Sequence, residues 1–388
     1  MKGVRPDIAS MQRNGITGLA TPRLGDPSVI PLWFGEGDEA TAAFIREAAS
    51  DALLAGDTFY VNTRGKPELR TSIGDYLHSV YGLRIDPKRI SVPGSAMMGV
   101  TIAVQMALTQ GDEALLVGPY WPNIETACRV AGADIVTVRQ HEGATSWVLD
   151  MEALFAAVTP KTRLIYINSP CNPTGWIMSR SEQLALLEFC REKSILLLAD
   201  EVYHRAVLNA AVAPSFLDLA RDDDPIVIVN GFSKAWAMTG WRVGWVVAAK
   251  AMETQWAVLS ECFNTGSAPF AQQGCIVALE NSETVIEALN AKYRKGAILV
   301  NEILATCSRI LLTPPEGAFY AFPKIDGISS SRAFCQGLLD HKDVGVAPGF
   351  TFGPGNEQYI RICFALSHTR LQEGLEKLVL FANSYKEK

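Results

Sequence analysis

One lysine, Lys234, lies between two short apolar runs, Pro225-Ile-Val-Ile-Val-Asn230 and Val243-Gly-Trp-Val-Val-Ala-Ala249. The first reads as a buried parallel strand and the second as another buried strand. A lysine at the mouth of such a sheet loses solvation, which favours its neutral, nucleophilic form. Arg242, a few residues on, offers a planar fork suited to a phosphate. Taken alone, a loop lysine is most often a solvated surface charge. Taken together, the two could supply a Schiff-base lysine beside a phosphate anchor, the combination that pyridoxal phosphate (PLP) chemistry requires.

Other groups extend that chemistry. Asp200 ends the run Ile195-Leu-Leu-Leu-Ala199, where a carboxylate is costly to bury unless a positive group pairs with it. A protonated pyridine nitrogen would be such a partner. Pro93-Gly-Ser-Ala96 follows a strand and opens a helix, so its free N–H groups could hold an anion, or it could be a turn that binds nothing. Asn168-Ser-Pro-Cys-Asn172-Pro-Thr-Gly175 is a good turn in its own right. Arg361 sits in the alternating stretch Tyr359-Ile-Arg-Ile-Cys-Phe-Ala365. A strand arginine is usually a surface residue or half of an ion pair, but its fork also fits a carboxylate.

The segment Ser233-Lys-x-x-x-Met238-Thr-Gly-Trp-Arg-x-Gly244 resembles the lysine segment of the class I/II aminotransferases, the fold-type I PLP enzymes. The resemblance runs from about Gly35 to Ala365 through a series of ordered motifs. It implies an α/β fold: a large PLP-binding domain with a mostly parallel seven-stranded sheet, plus a smaller α+β domain formed by both chain termini. It also implies a homodimer with shared active sites, acting on an amino acid and a 2-oxo acid. Lys234 would carry the cofactor and serve as the base at the substrate Cα. Asp200 would face the ring nitrogen, Tyr203 the ring hydroxyl and Asn172 the phenolic oxygen. Trp121, with Tyr120 as the alternative, would stack on the ring.

Ser95, Ala96, Ser233 and Arg242 would surround the phosphate. Many relatives carry a serine where this chain has Gly231, which leaves Ser233 or a backbone N–H to cover that oxygen. Tyr60, five residues before Gly65, would reach the phosphate of the neighbouring subunit. Gly35, Asn172 and Arg361 would receive the substrate, Arg361 through the motif Gly355-x-x-x-Tyr-x-Arg361. Phe34, Arg64, Asn264 and Phe350 are the positions expected to tune specificity. Cys171, beside Asn172, is assigned no chemistry. The same motifs serve β-eliminating lyases and cyclopropane-forming synthases, because the cofactor carries the chemistry. A sensor domain fused to a DNA-binding module is disfavoured by the short N-terminal arm.

The elements that must position these residues alternate regularly. Strands are expected at 89–92, 114–117, 134–138, 164–168, 195–199, 226–230 and 242–248, with helices between most of them, at 97–108, 124–131, 151–157 and 182–193. This is the signature of a mostly parallel sheet, whose ligands bind outside the carboxyl ends of the strands. The expected division is 1–40 as an arm and part of the small domain, 41–285 as the large domain and 286–388 as the small one. A helix over 42–55, a long helix from 282 to 306 and a terminal helix from 367 to 382 complete the pattern. One competing signal is Gly35-x-Gly37-x-x-Ala40, which matches a dinucleotide fingerprint with Asp57 near the ribose offset. Glu36, Asp38 and Glu39 would put negative charge where a pyrophosphate must sit, so that reading is set aside.

At 388 residues the chain calls for a large and a smaller domain. Hydrophobic content of 48% and charged content of 20% fit a globular protein. A net charge of -6 without a basic run argues against nucleic acid as a partner. No apolar run reaches membrane-spanning length, and no signal-peptide pattern opens the chain. Eight cysteines without a C-x-x-C pair and five histidines without H-E-x-x-H suggest neither a disulfide framework nor a metal site. The cytoplasm is the expected compartment.

Overall fold

The seven expected strands all form, and their apolar residues divide between two cores. In the computed structural model, which describes residues 2–387, they are β1 (Ile90–Gly94), β2 (Glu113–Gly118), β3 (Asp134–Arg139), β4 (Thr162–Asn168), β5 (Leu196–Asp200), β6 (Ile226–Gly231) and β7 (Gly244–Ala248). They build one sheet in the order β1-β7-β6-β5-β4-β2-β3. Ile165, Leu197 and Ile228 join one core, while Leu164, Leu198 and Val227 join the other. The period-two geometry of a strand sends successive side chains to opposite faces, and both faces are covered. That is why these segments read as continuous apolar runs.

Every pairing is parallel except those of β7, which runs antiparallel to both β1 and β6. The register places Gly244 opposite Gly94 on one side and Gly231 on the other. This row of glycines thins the sheet where helix α2 (Ala96–Ala107) begins. A Cβ on Gly244 would collide with the backbone nitrogen of Ala96. Only a backbone without side chains lets the helix start so close to the strand ends.

The C-terminal region packs against this sheet. Strands β8 (Tyr320–Ala321), β9 (Ala347–Pro348) and β10 (Ile360–Cys363) form a small antiparallel sheet with β10 at its centre. The strand Ile30–Pro31 pairs in parallel with Val344–Gly345, which ties the N-terminal segment to the C-terminal region. The long helix α3 (Ser282–Leu304) packs on the terminal helix α4 (His368–Ser384). The expected boundary at 285/286 falls inside α3, which is continuous. Within 1–40, expected as an arm and part of the small domain, lies a short helix, α1 (Gly15–Ala20), capped by Asn14 through a bond from the Ile16 N–H. Among the described residues no helix is long and apolar enough to cross a membrane, and no cluster of His, Cys, Asp and Glu could hold a metal ion.

Candidate active site

The carboxyl ends of β4, β5 and β6 open onto a cavity of about 290 Å³ whose walls include Lys234, Asp200, Tyr203, Asn172, Ser233, Arg242 and Arg361. Lys234 lies on the short helical turn Phe232–Ala235 that follows β6. Its Nζ donates to the carbonyl of Gly35 at 2.6 Å. Burial pushes its pKa down to about 8, because the ammonium form loses its water and meets Arg361 and Arg242 nearby, effects that Cys363 and Glu36 only partly oppose. The unprotonated form is therefore far easier to reach near neutral pH than for a solvated lysine.

Asp200 ends β5 and is buried. It accepts a bond from the Tyr166 hydroxyl (3.0 Å) and one from the Val202 N–H (3.2 Å). Burial nevertheless raises its pKa to about 6, against the lowering effect of these bonds and of Lys234. This carboxylate has donors but no cation in contact, the condition in which a positive ligand gains most. Asn168, at the end of β4, braces the floor: its amide donates to the Asp200 carbonyl and its oxygen accepts from the Asn172 N–H.

Arg361 sits on β10 and is buried. It donates to Asn172 Oδ1 at 2.9 Å and to the carbonyl of Trp33, while its Nε has no partner. The rings of Tyr320 and Phe352 lie 4.5 and 5.0 Å from the guanidinium. A guanidinium beside a cavity with one N–H unpartnered has the chemistry to receive a carboxylate. Arg242 adopts a left-handed backbone (φ 56°) and donates to the Thr239 carbonyl at 2.7 Å. That conformation is unusual for a residue with a side chain, and such outliers cluster at functional sites.

Most other expected residues fall on the same cavity. Gly35, Phe34, Ala96, Trp121 and Gly231 line it. Tyr120 does not; it is buried with its hydroxyl on Glu125, so Trp121 is the aromatic at the mouth. Ser95 caps α2 through the Met98 N–H, while Ala96 and Met97 face the cavity. Tyr60 is 92% exposed and lies outside this chain's own cavity.

Three expected specificity positions do not line this chain's own cavity. Arg64 is buried and clamps Ser91, Glu253 and the carbonyls of Lys88 and Ile90, so its donors are consumed by the scaffold. Asn264 donates to the Pro93 and Gly266 carbonyls. Phe350 packs beneath Arg332 and beside the position of Gly15. The dinucleotide reading fails as expected: Asp38 and Glu39 pair with Lys292, and the helix begins only at Ala43. Asp57 pairs with Lys66.

Several lining residues carried no signal in the sequence. Asn14, Ile16 and Thr17 of the N-terminal segment reach the cavity, and so does Tyr320. Tyr166 supports Asp200 from within a run that reads only as core.

Comparison with known proteins decides the family. Residues 28–378 match the family model described as aminotransferase class I and II. The chain belongs to that family. It is 33% identical over 358 residues to the arginine–pyruvate transaminase of Pseudomonas aeruginosa, covering 91% of this chain and 90% of that protein. To the aspartate aminotransferase of Pyrococcus horikoshii it is 32% identical over 353 residues, covering 90% of each. The crystal structure of an aspartate aminotransferase from Thermotoga maritima superimposes with a TM-score of 0.90 at 29% identity, covering 98% of this chain and 100% of that one. The protein is thus an aminotransferase of fold type I, moving an amino group from an amino acid to a 2-oxo acid, and the lyase alternative gives way.

Class I/II aminotransferases use PLP, and the cavity of this aminotransferase fits that group. It offers a half-buried lysine whose pKa is lowered to about 8, a buried carboxylate lacking a cation, and a helix start exposed by Gly244 beside Ser233 and Arg242.

Proposed function

We propose that this aminotransferase holds PLP on Lys234 and works as a cytoplasmic homodimer whose two active sites are shared. The observation that carries the cofactor assignment is the convergence of Lys234, Asp200, Asn172, Arg242 and Arg361 on one cavity. Asp200 would face the pyridine nitrogen, and Tyr203 and Asn172 the phenolic oxygen. The N–H groups that open α2, with Ser233 and Arg242, would hold the phosphate; Ser95 shapes that helix start from one residue away. Trp121 would cover the ring. When bound, PLP supplies a sink for the electron pair released as the Cα–H bond of the amino acid breaks.

The chain's own groups do the rest. Arg361 binds the α-carboxylate through its open N–H edge, with Gly35 and Asn172 beside it, and so fixes which Cα bond faces the ring. Lys234, in its unprotonated form, would take the proton from Cα and return it two atoms along, on the far side of the intervening nitrogen. Asp200 holds a proton on the ring nitrogen. Ile16 and Phe34 cover the cavity with apolar surface that limits the entry of water.

The dimer reading is supported by Leu54, Phe59 and Tyr60, which expose 85%, 82% and 92% of their surface along one short segment. Tyr60 would reach the phosphate of the partner subunit's cofactor. The cytoplasmic reading is supported by eight free cysteines, seven of them buried. The domain division follows 41–285 for the large unit, with 1–40 and 286–388 forming the small one, as the pairing of Ile30–Pro31 with Val344–Gly345 suggests.

The test is chemical mapping. Protein loaded with PLP should be yellow, and borohydride should fix the cofactor to one peptide, the one containing Lys234. Lys234→Ala should fold and bind PLP without a covalent link. A reduced adduct on any other lysine overturns the assignment.

A further inference from the structure

Tyr320 stands at the meeting point of three groups to which the reading above gives roles. Its hydroxyl lies 2.7 Å from that of Tyr203. Its ring lies 4.5 Å from the Arg361 guanidinium, inside cation–π range. A Cβ on Gly35 would collide with its hydroxyl and would stand 3.5 Å from Lys234 Nζ, so the absence of a side chain at Gly35 is what makes room for it. Tyr320 is fully buried, on β8, which pairs with the strand that carries Arg361. The hydroxyl contacts do not follow from packing alone, because a phenylalanine would fill nearly the same volume.

We propose that Tyr320 is a positioning residue with two separable halves, its ring orienting Arg361 and its hydroxyl directing the Tyr203 proton toward the cofactor. The proposal rests on the PLP reading above. Two facing phenols hold two protons but share one hydrogen bond. If Tyr203 is to donate to the phenolic oxygen, the shared bond must be donated by Tyr320. Accepting that bond polarises the Tyr203 hydroxyl and makes it a stronger donor. A stronger bond to the phenolic oxygen draws charge away from the adjacent nitrogen of Lys234, so its proton is held less tightly. The other charged or titratable groups facing this pair are Lys234, Arg361, Asp200, Glu36, Cys363 and Tyr293, while Arg242 faces Lys234. None of them changes when the Tyr320 hydroxyl alone is removed.

The experiment is a spectral titration of the PLP-loaded enzyme. Tyr320→Phe removes the hydroxyl and keeps the ring. Its absorbance midpoint should move up by about 0.3 pH unit, the size of a modest cooperative gain in one charged hydrogen bond. Tyr203→Phe should move it further in the same direction. The double variant should match Tyr203→Phe alone, because Tyr320 acts through Tyr203. KM for an amino acid should stay within about twofold in Tyr320→Phe, whereas Tyr320→Leu, which also loses the ring, should raise it about fivefold to tenfold. An unchanged or lowered midpoint in Tyr320→Phe overturns the hydroxyl half, as does an additive shift in the double variant. Equal KM in the Phe and Leu variants overturns the ring half. A wild-type enzyme that shows no lysine-bound PLP absorbance at all fails at the earlier step, and so separates failure of the cofactor reading from failure of this one.

Discussion

Arg361 and Asn172 meet across the cavity, with Nη1 2.9 Å from Oδ1. This bond joins the central strand of the small sheet to the turn after β4, so the guanidinium and the floor of the cavity are held in one frame. Asn172 is held in turn by Asn168, whose oxygen accepts from its backbone N–H at 2.7 Å. The geometry of the guanidinium is therefore set by the large sheet as much as by its own strand.

Arg361→Ala should raise KM for every α-amino acid by about tenfold to a hundredfold, the worth of a charge-assisted carboxylate bond. It should lower kcat as well if the grip also sets the Cα–H direction. Amines without an α-carboxylate should be affected little. Steady-state kinetics on both substrate kinds decide the matter, and an equal loss for both would make Arg361 a structural residue.

Asp200→Ala should fold yet lose about a thousandfold in turnover, corresponding to roughly 4 kcal/mol in the barrier. Removing a buried carboxylate leaves nothing to hold a proton on the ring nitrogen. Single-turnover rates with one amino acid are the measure, and near-normal rates would take Asp200 out of the chemistry.

Lys234 should make capture of PLP by the cofactor-free protein depend on pH. Its pKa is lowered to about 8, so the capture rate should climb with pH and level off above about 8. A solvated lysine would level off only near its ordinary 10.5. The same shift has a sign for stability. Between those two values the unfolded lysine keeps a proton that the folded one has released, so this group's contribution is present above 10.5 and lost as pH falls through 8. Cofactor-free Lys234→Met should consequently be more stable than cofactor-free wild type at pH 7, by a cost on the order of a few kcal/mol, and the gap should close as pH rises through that window. Urea melts at several pH values measure it; a gap that is flat with pH would show that burial does not shift this lysine.

Tyr60 should act across the dimer interface. Mixing Lys234→Ala with Tyr60→Ala protein should form hybrids in which one site carries both lesions and the other neither, so activity should return toward that of one intact site. No recovery after verified subunit exchange would place Tyr60 outside the neighbour's site.

The sheet was legible because both faces of its inner strands are buried, so these show as apolar runs, and strand ends fall within a residue or two of expectation. Lys234, Asp200 and Arg361 were legible because each is a charge placed where apolar neighbours make charge costly. Tyr320 was not, since an aromatic in Phe319-Tyr-Ala-Phe322 reads as core, and its hydroxyl matters only once β8 lies beside β10. The N-terminal helix was hidden for a similar reason: α1 is short, and its shape depends on what it rests against. The surroundings of Arg64 were equally hidden. A loop arginine reads as available, whereas this one is enclosed and fully engaged by Ser91, Glu253 and two carbonyls.

The reversed strand β7 also dates the cavity within the folding process. Because β7 runs against its neighbours, the chain leaves β6 and enters β7 at the same edge of the sheet, which puts Lys234 and Arg242 together there. A parallel strand would have carried Arg242 to the far edge. Yet β7 must also dock against β1, as in the pairing of Gly244 with Gly94, partners far apart in sequence. Closing so long a loop is slow compared with forming local helices. The start of α2 meets Gly244 only when that docking is complete. The anion cradle should thus be among the last features to appear as the chain collapses, and phosphate or PLP present during refolding should favour the final docked state rather than speed the early steps.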